Sequence, residues 1–348
     1  MIAAGEYRLD RMLDISTPSL VLRGADHDFS KTILRGAGMT EQAVGVAISV
    51  SAPQVTIADM TIGYVGFHGI QVRGERGASQ VMIHNVHIVD TGQQLIKGST
   101  DGGPMHADEG VVACSTLEYS DHAPSDYTNG VDVLGGNGWS VHDNTLRRIR
   151  GPADRRFASG PAILFWANSQ DTRIERNTII DSFRGIAFGL GPGASRALAR
   201  NGEARFDHQG GSIRNNVVVN MHDWADEGIE LNAARGATVD HNTVVTLGLP
   251  WSISVRFAGA TAQVRNNLTS RQVILRDGGE ATQRGNVAGA SPAWFVDAER
   301  ADLRLSRDGR AARRTGVMLP DVKDDRVGRS RPAGTPPDAG AFQSPETD

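Results

Sequence analysis

A short run with aliphatic or β-branched residues at every second position, then an asparagine, then a second apolar run, recurs along this chain. Val81-Met82-Ile83-His84-Asn85, Ser140-Val141-His142-Asp143-Asn144 and Thr172-Arg173-Ile174-Glu175-Arg176-Asn177 are early instances. Ser212-Ile213-Arg214-Asn215-Asn216, Thr238-Val239-Asp240-His241-Asn242 and Gln263-Val264-Arg265-Asn266-Asn267 follow, and Asn286 closes the series. Asp59 and Ser115 stand at the asparagine position in two further copies. From Asp59 to Asn286 the intervals are 26, 30, 29, 33, 39, 26, 25 and 19 residues. Alternation of period two predicts strands, and a unit repeating at this spacing predicts a solenoid. One unit cannot bury its apolar face alone, whereas a stack makes a continuous core. The expected unit is a coil of three short strands, stacked on its neighbours at about 4.8 Å. Asparagine at a repeated turn tolerates left-handed backbone, and its amide can bond to the next copy. The ladder asparagines therefore build the fold rather than catalyse.

Composition narrows the classes. Of 348 residues, 41 are Gly and only 5% are aromatic, which suits many short strands and tight turns. A formal charge of −4 gives no electrostatic footprint for nucleic acid. The single cysteine, Cys114, excludes an internal disulfide framework. No stretch approaches the ~18 apolar residues of a membrane span. The first residues carry no targeting signal, which taken literally places the chain in the cytoplasm. Residues 1–20 read as an N-terminal cap. Residues 311–348 are Pro- and Arg-rich and are expected to pack on or cap the last coils.

Over residues 15–310, and most strongly over 130–144, 160–189 and 228–242, the pattern Gly-Val/Ile-x-Val/Leu before the Asn turn resembles the right-handed parallel β-helix, or pectate-lyase-like, superfamily. The resemblance implies an all-β fold, a single right-handed parallel β-helix of about ten coils over residues 1–310. It also implies a monomer acting on an acidic polysaccharide or oligosaccharide, secreted or periplasmic with any leader removed. Calcium is common in the superfamily. The fold hosts lyases, hydrolases, epimerases and plain adhesins, so it does not choose among them.

In each coil the strand after the Gly alternates inward and outward. Aligned on the Gly and the Asn, one outward column reads Ala47, Gln71, Ile96, Asp132, Phe165, Ala187, Glu230, Ser254, Ile274. The next holds Arg73, Lys97 or Gly98, Leu134, Asn232, Arg256 and Arg276, with Lys97 beside or diagonal to Asp132. Insertions at about 98–108, 119–129, 150–160 and 190–210 are expected to wall one face into a groove.

Rung spacing tests the chemistry. A glycosidase needs two carboxyl groups about 5–9.5 Å apart. Asp132 and Glu230, three rungs or roughly 14 Å apart, cannot be that pair, so hydrolysis would need a loop carboxylate such as Asp108, Glu109 or Asp126. For an epimerase, the superfamily's Asp-Pro-His-Asp segment has only Val131-Asp132-Val133-Leu134 as counterpart. β-Elimination from a uronic acid needs a cation on the carboxylate, a base and a proton donor for the leaving oxygen. The expected assignment has Lys97 or Tyr127 moving the proton, Arg73 or Arg256 holding the carboxylate, and Asp132 orienting the base. His106 is a second candidate base. Glu230, Asn232 and Arg256 are candidate substrate contacts, with Phe165 or Trp166 as a stacking platform. Asp101, Asp108 and Glu109 form the one acidic cluster bordering the groove where calcium would sit. The other class of reading is a non-catalytic carbohydrate-binding or structural β-helix.

Overall fold

A computed structural model describes residues 1–193, 198, 200 and 206–345. The chain is a right-handed parallel β-helix. One face is a sheet of ten parallel strands: Leu13–Ile15, Val46–Val50, His68–Arg73, Ile96–Ser99, Val131–Leu134, Pro161–Trp166, Arg184–Phe188, Ile229–Asn232, Trp251–Arg256 and Gln272–Arg276. The other faces belong to a 21-stranded sheet.

The core forms because equivalent aliphatic residues stack rung on rung. Ile48, Ile70, Ile96, Val131, Ile163, Ile186, Ile229, Ile253 and Val273 are successive partners in one inward column. All but Val273 are completely buried, and each such side chain contributes about 1.5–3 kcal/mol. A second inward column runs Val72, Gly98, Val133, Phe165, Phe188, Leu231, Val255.

The asparagine ladder is continuous from Asn144 to Asn286. The Asn144 backbone N–H and side-chain amide both donate to Asn177 Oδ1, at 3.1 and 3.0 Å, and the amide also reaches the Val112 carbonyl at 2.8 Å. Asn177, Asn216, Asn242 and Asn267 repeat the arrangement onto the next rung. Ser115 takes the asparagine position, its N–H donating to Asn144 Oδ1 at 3.0 Å. Two rungs differ from expectation. The left-handed residue is the one before the ladder asparagine: Asp143, Arg176, Asn215, His241 and Asn266 all have positive φ. Asp59 and Asn85 occupy that left-handed position, so the ladder position in their coils is Met60 and Val86, one residue on. Val86 N–H donates to Ser115 Oγ at 3.1 Å, which continues the column in reduced form.

The C-terminal segment lies along these turns. Asn266 exchanges hydrogen bonds of 2.7 Å with the backbone of Val317. Arg331 donates to Asn215 Oδ1 at 2.9 Å, and Arg326 donates to Thr178 Oγ1 at 2.7 Å. Just before it, Phe295–Asp297 and Asp302–Leu305 pair antiparallel. No helix is long and apolar enough to cross a membrane among the described residues.

Candidate functional site

The outward column of the ten-stranded sheet reads Ser49, Gln71, Lys97, Asp132, Leu164, Ala187, Glu230, Ser254, Ile274. It departs from the expected column at Ala47, Ile96 and Phe165. Ile96 and Phe165 point inward, because an Ile and a Phe in these strands are worth more in the core than on the surface. Phe165 is fully buried and packs on Trp139. It is core and cannot stack on a sugar.

Lys97 therefore lies directly beside Asp132, its Nζ 2.5 Å from Oδ2. The other carboxylate oxygen accepts from Trp166 Nε1 at 2.7 Å. Asp132 is completely buried and Lys97 nearly so. Burial works against the ammonium, but Asp132 and then Tyr127 outweigh it, and the pKa of Lys97 stands above the ordinary lysine value. A lysine that takes a proton from a substrate must be both reachable and neutral, and this one is neither. Lys97 is buried and ion-paired, an arrangement that suits a support better than the expected proton carrier.

What it supports is Tyr127. The ammonium donates to the phenolic oxygen at 2.8 Å, and Tyr127 is about half exposed. Burial of the ring's inner part and then Asp132 raise the phenol's pKa, with Lys97 partly opposing them. Trp166, Asp132, Lys97 and Tyr127 form one chain of hydrogen bonds from the sheet to solvent. Trp166 serves as a donor to Asp132 rather than as an open platform, and it packs with Leu134, Leu164, Ala187 and Leu190. This apolar cover divides the expected groove into two polar centres. Of the 190–210 insertion, residues 194–197, 199 and 201–205 lie outside the described residues.

Arg73 is on the rung before Lys97, two residues along the strand, where it pairs with Ser99. Its guanidinium has no carboxylate partner among the described residues and makes only a 3.5 Å contact to Gln71 Oε1. His68, at the start of the same strand, is a residue that sequence reasoning missed. Burial, then Lys97, depress its pKa to about 4, so the imidazole is neutral at neutral pH. A histidine opening the strand beside the Lys97 rung was the available signal. His106 is buried at the far end of the Asp132 strand, where a Cβ on Gly135 would come within 3.0 Å of its ring. Burial and Arg200 lower its pKa.

The second centre surrounds Glu230. Its Oε2 accepts from Asn232 Nδ2 at 2.8 Å, and Arg184 Nε approaches Oε1 at 3.4 Å. Arg184 also binds Asp226 at 2.6 Å, while Arg276 reaches Glu227 Oε1 at 2.9 Å and Ser254 donates to its other oxygen. Arg256 pairs with Asp277 and not with Glu230. Asp226, Glu227, Arg184 and Trp251 were not among the candidates, since they come from loops and rungs whose convergence the repeat does not encode.

At the acidic cluster where calcium was expected, the three carboxylates have separate partners within the chain. Asp101 caps the Gly103 N–H at 2.8 Å, Asp108 pairs with Arg200, and Glu109 accepts from Gln80 at 2.7 Å. Each carboxylate is engaged by a different partner, and no group of three or more His, Cys, Asp or Glu side chains is arranged to hold a metal ion among the described residues.

The architecture defines a right-handed parallel β-helix. Among solved structures the chain is similar to pectate lyase Pel9A, with a TM-score of 0.63 and 14% identity over 98% of this chain and 86% of that one. It is also similar to an alginate lyase from Paenibacillus sp. str. FPU-7, with a TM-score of 0.46 and 14% identity over 80% and 91%. The A-module of mannuronan C-5 epimerase AlgE6 from Azotobacter vinelandii matches with a TM-score of 0.45 and 13% identity over 83% and 90%. No family model and no curated protein sequence matches. At 14% identity the likeness to Pel9A shows the fold alone.

Proposed function

We propose that this β-helix is an enzyme that cleaves an acidic, uronic-acid-containing saccharide by β-elimination, with Tyr127 as the group that moves the proton. The observation that carries the reading is the Lys97–Tyr127 hydrogen bond: a buried ammonium, paired with Asp132, donating to the phenolic oxygen of a residue about half exposed. Such a contact stabilises the phenolate, the form able to take a proton from carbon. Arg73, which has no carboxylate partner among the described residues, neutralises the substrate carboxylate in this reading and so acidifies the neighbouring C–H. The phenolate takes that proton, the electron pair forms the C=C bond, and the C–O bond to the leaving sugar breaks. The phenol then returns the proton to the departing oxygen. The name of the structural relative Pel9A, a pectate lyase, agrees with this chemistry.

A panel of alginate, pectate, hyaluronate, chondroitin and heparan, followed at 235 nm where the new double bond absorbs, tests the reading. Because the Tyr127 pKa is raised, the rate on a responding polymer rises with pH through the alkaline range. Tyr127→Phe, which removes one hydroxyl from a residue about half exposed, lowers the rate about 100-fold or more, and stability falls by about 1–3 kcal/mol because the buried Lys97 ammonium loses an acceptor. A profile that falls above neutral pH, or an active Tyr127→Phe enzyme, overturns it. Burial of the Lys97–Asp132 pair favours a second reading, a non-catalytic saccharide-binding β-helix, which silence across the whole panel would support.

A further inference from the structure

The Glu230 centre encloses a cavity of about 310 Å³, at the small end of the range for ligand sites. Arg184, Asp226, Glu227, Glu230, Trp251 and Arg276 are among its lining residues. It opens on the same sheet face as Tyr127, three rungs or about 14 Å along the axis from Asp132.

Two features specify what it can hold. First, every guanidinium at the cavity already has a carboxylate: Arg184 has Asp226, Arg256 has Asp277 and Arg276 has Glu227. A uronate entering here finds no unpaired cation among the described residues and faces Asp226, Glu227 and Glu230. Second, two buried polar atoms on the lining, Glu230 Oε1 and Trp251 Nε1, have no hydrogen-bond partner among the described residues, Oε1 having only the 3.4 Å ion contact from Arg184 Nε. Glu230 is more than nine-tenths buried. Burial pushes its pKa up to about 7, against Arg184 and with Glu227 and Asp226 adding to the rise, so near neutral pH its carboxyl both donates and accepts. The indole only donates. A sugar hydroxyl, which donates and accepts, can serve either atom.

We propose that this cavity is a subsite for an uncharged sugar ring. Taken with the elimination reading, on which this second part rests, it makes the substrate a heteropolysaccharide in which a uronic acid at Tyr127 is followed along the groove by a neutral sugar.

The Trp251 indole N–H supplies a local probe. In a ¹H–¹⁵N spectrum of the full chain its resonance is assigned by its loss in Trp251→Phe, then followed while cellotetraose, mannotetraose, galactotetraose or tetragalacturonate is added. At least one neutral tetrasaccharide is expected to shift it, and tetragalacturonate to have no effect at the same concentration. Glu230→Leu is expected to weaken the neutral titration about fivefold or more, as for one lost hydrogen bond. Tyr127→Phe leaves the titration intact, so failure of the elimination reading and failure of the subsite are separately visible. No shift with any neutral probe, or a uronate that binds as well as the neutral sugars, overturns the proposal.

Discussion

Replacing Lys97 with Met separates what the buried ion pair does for the fold from what it does for chemistry. The substitution keeps the length of the side chain and leaves Asp132, completely buried, without its ammonium partner while Trp166 Nε1 still donates to it. Removing one member of a buried pair costs about 3–5 kcal/mol, because the other charge stays desolvated and unpaired. Against a typical domain stability of about 5–15 kcal/mol, that is a large drop in the urea midpoint. Removing both charges in Lys97→Met/Asp132→Leu abolishes the stranded carboxylate. The remaining penalty is the unpaired Trp166 N–H, about 1–3 kcal/mol, offset by the saved desolvation of two ions, so the double variant returns close to the parent midpoint. Activity does not return. Tyr127 has lost the ammonium on its oxygen, and a charged hydrogen bond of about 1.5–3 kcal/mol corresponds to a rate loss on the order of 10- to 100-fold. Urea unfolding of the parent, both single variants and the double variant gives the coupling energy, and absorbance at 235 nm gives the rate. A Lys97→Met cost below about 1 kcal/mol would show the pair to be solvated. A double variant with full activity would reduce Lys97 and Asp132 to packing.

Two other consequences are open to measurement. Asn216→Leu leaves the Asn177 backbone N–H and the Ile174 carbonyl without the partners they have now. At about 1–3 kcal/mol for each stranded group, thermal and urea stability should fall sharply with no effect specific to the sites, and a loss below about 1 kcal/mol would show that the ladder is dispensable. Glu230 carries a pH dependence of stability. Its folded pKa is raised from 4.5 to about 7, so between these values the folded state holds a proton that the unfolded state has released. Stability is therefore lost as pH rises across that window, up to about 3 kcal/mol above it. Glu230→Gln should match the parent near pH 4 and exceed it increasingly towards pH 8; a gap independent of pH refutes this.

The repeat is the part of this protein that its residues declare locally. Its period, the column of asparagines, Ser115 in the place of one of them and the inward aliphatic columns follow from side-chain alternation and amide chemistry that each coil carries by itself. The phase of single strands is less legible. Ala162-Ile163-Leu164-Phe165-Trp166 is apolar throughout, so alternation cannot say which members face in, and stacking against Val133 and Phe188 decides it. Likewise the left-handed backbone at Arg176 and Cys114 is imposed by the turn, since those residue types do not favour it. The chemistry lay further still from the sequence. That Lys97 is an ion-paired support and Tyr127 the exposed group depends on burial. That Glu230 meets Asp226, Glu227, Trp251 and Arg276 depends on bringing neighbouring coils and the loops between them together. Charge state is set by what surrounds a side chain in three dimensions, and one-dimensional spacing carries no measure of that enclosure.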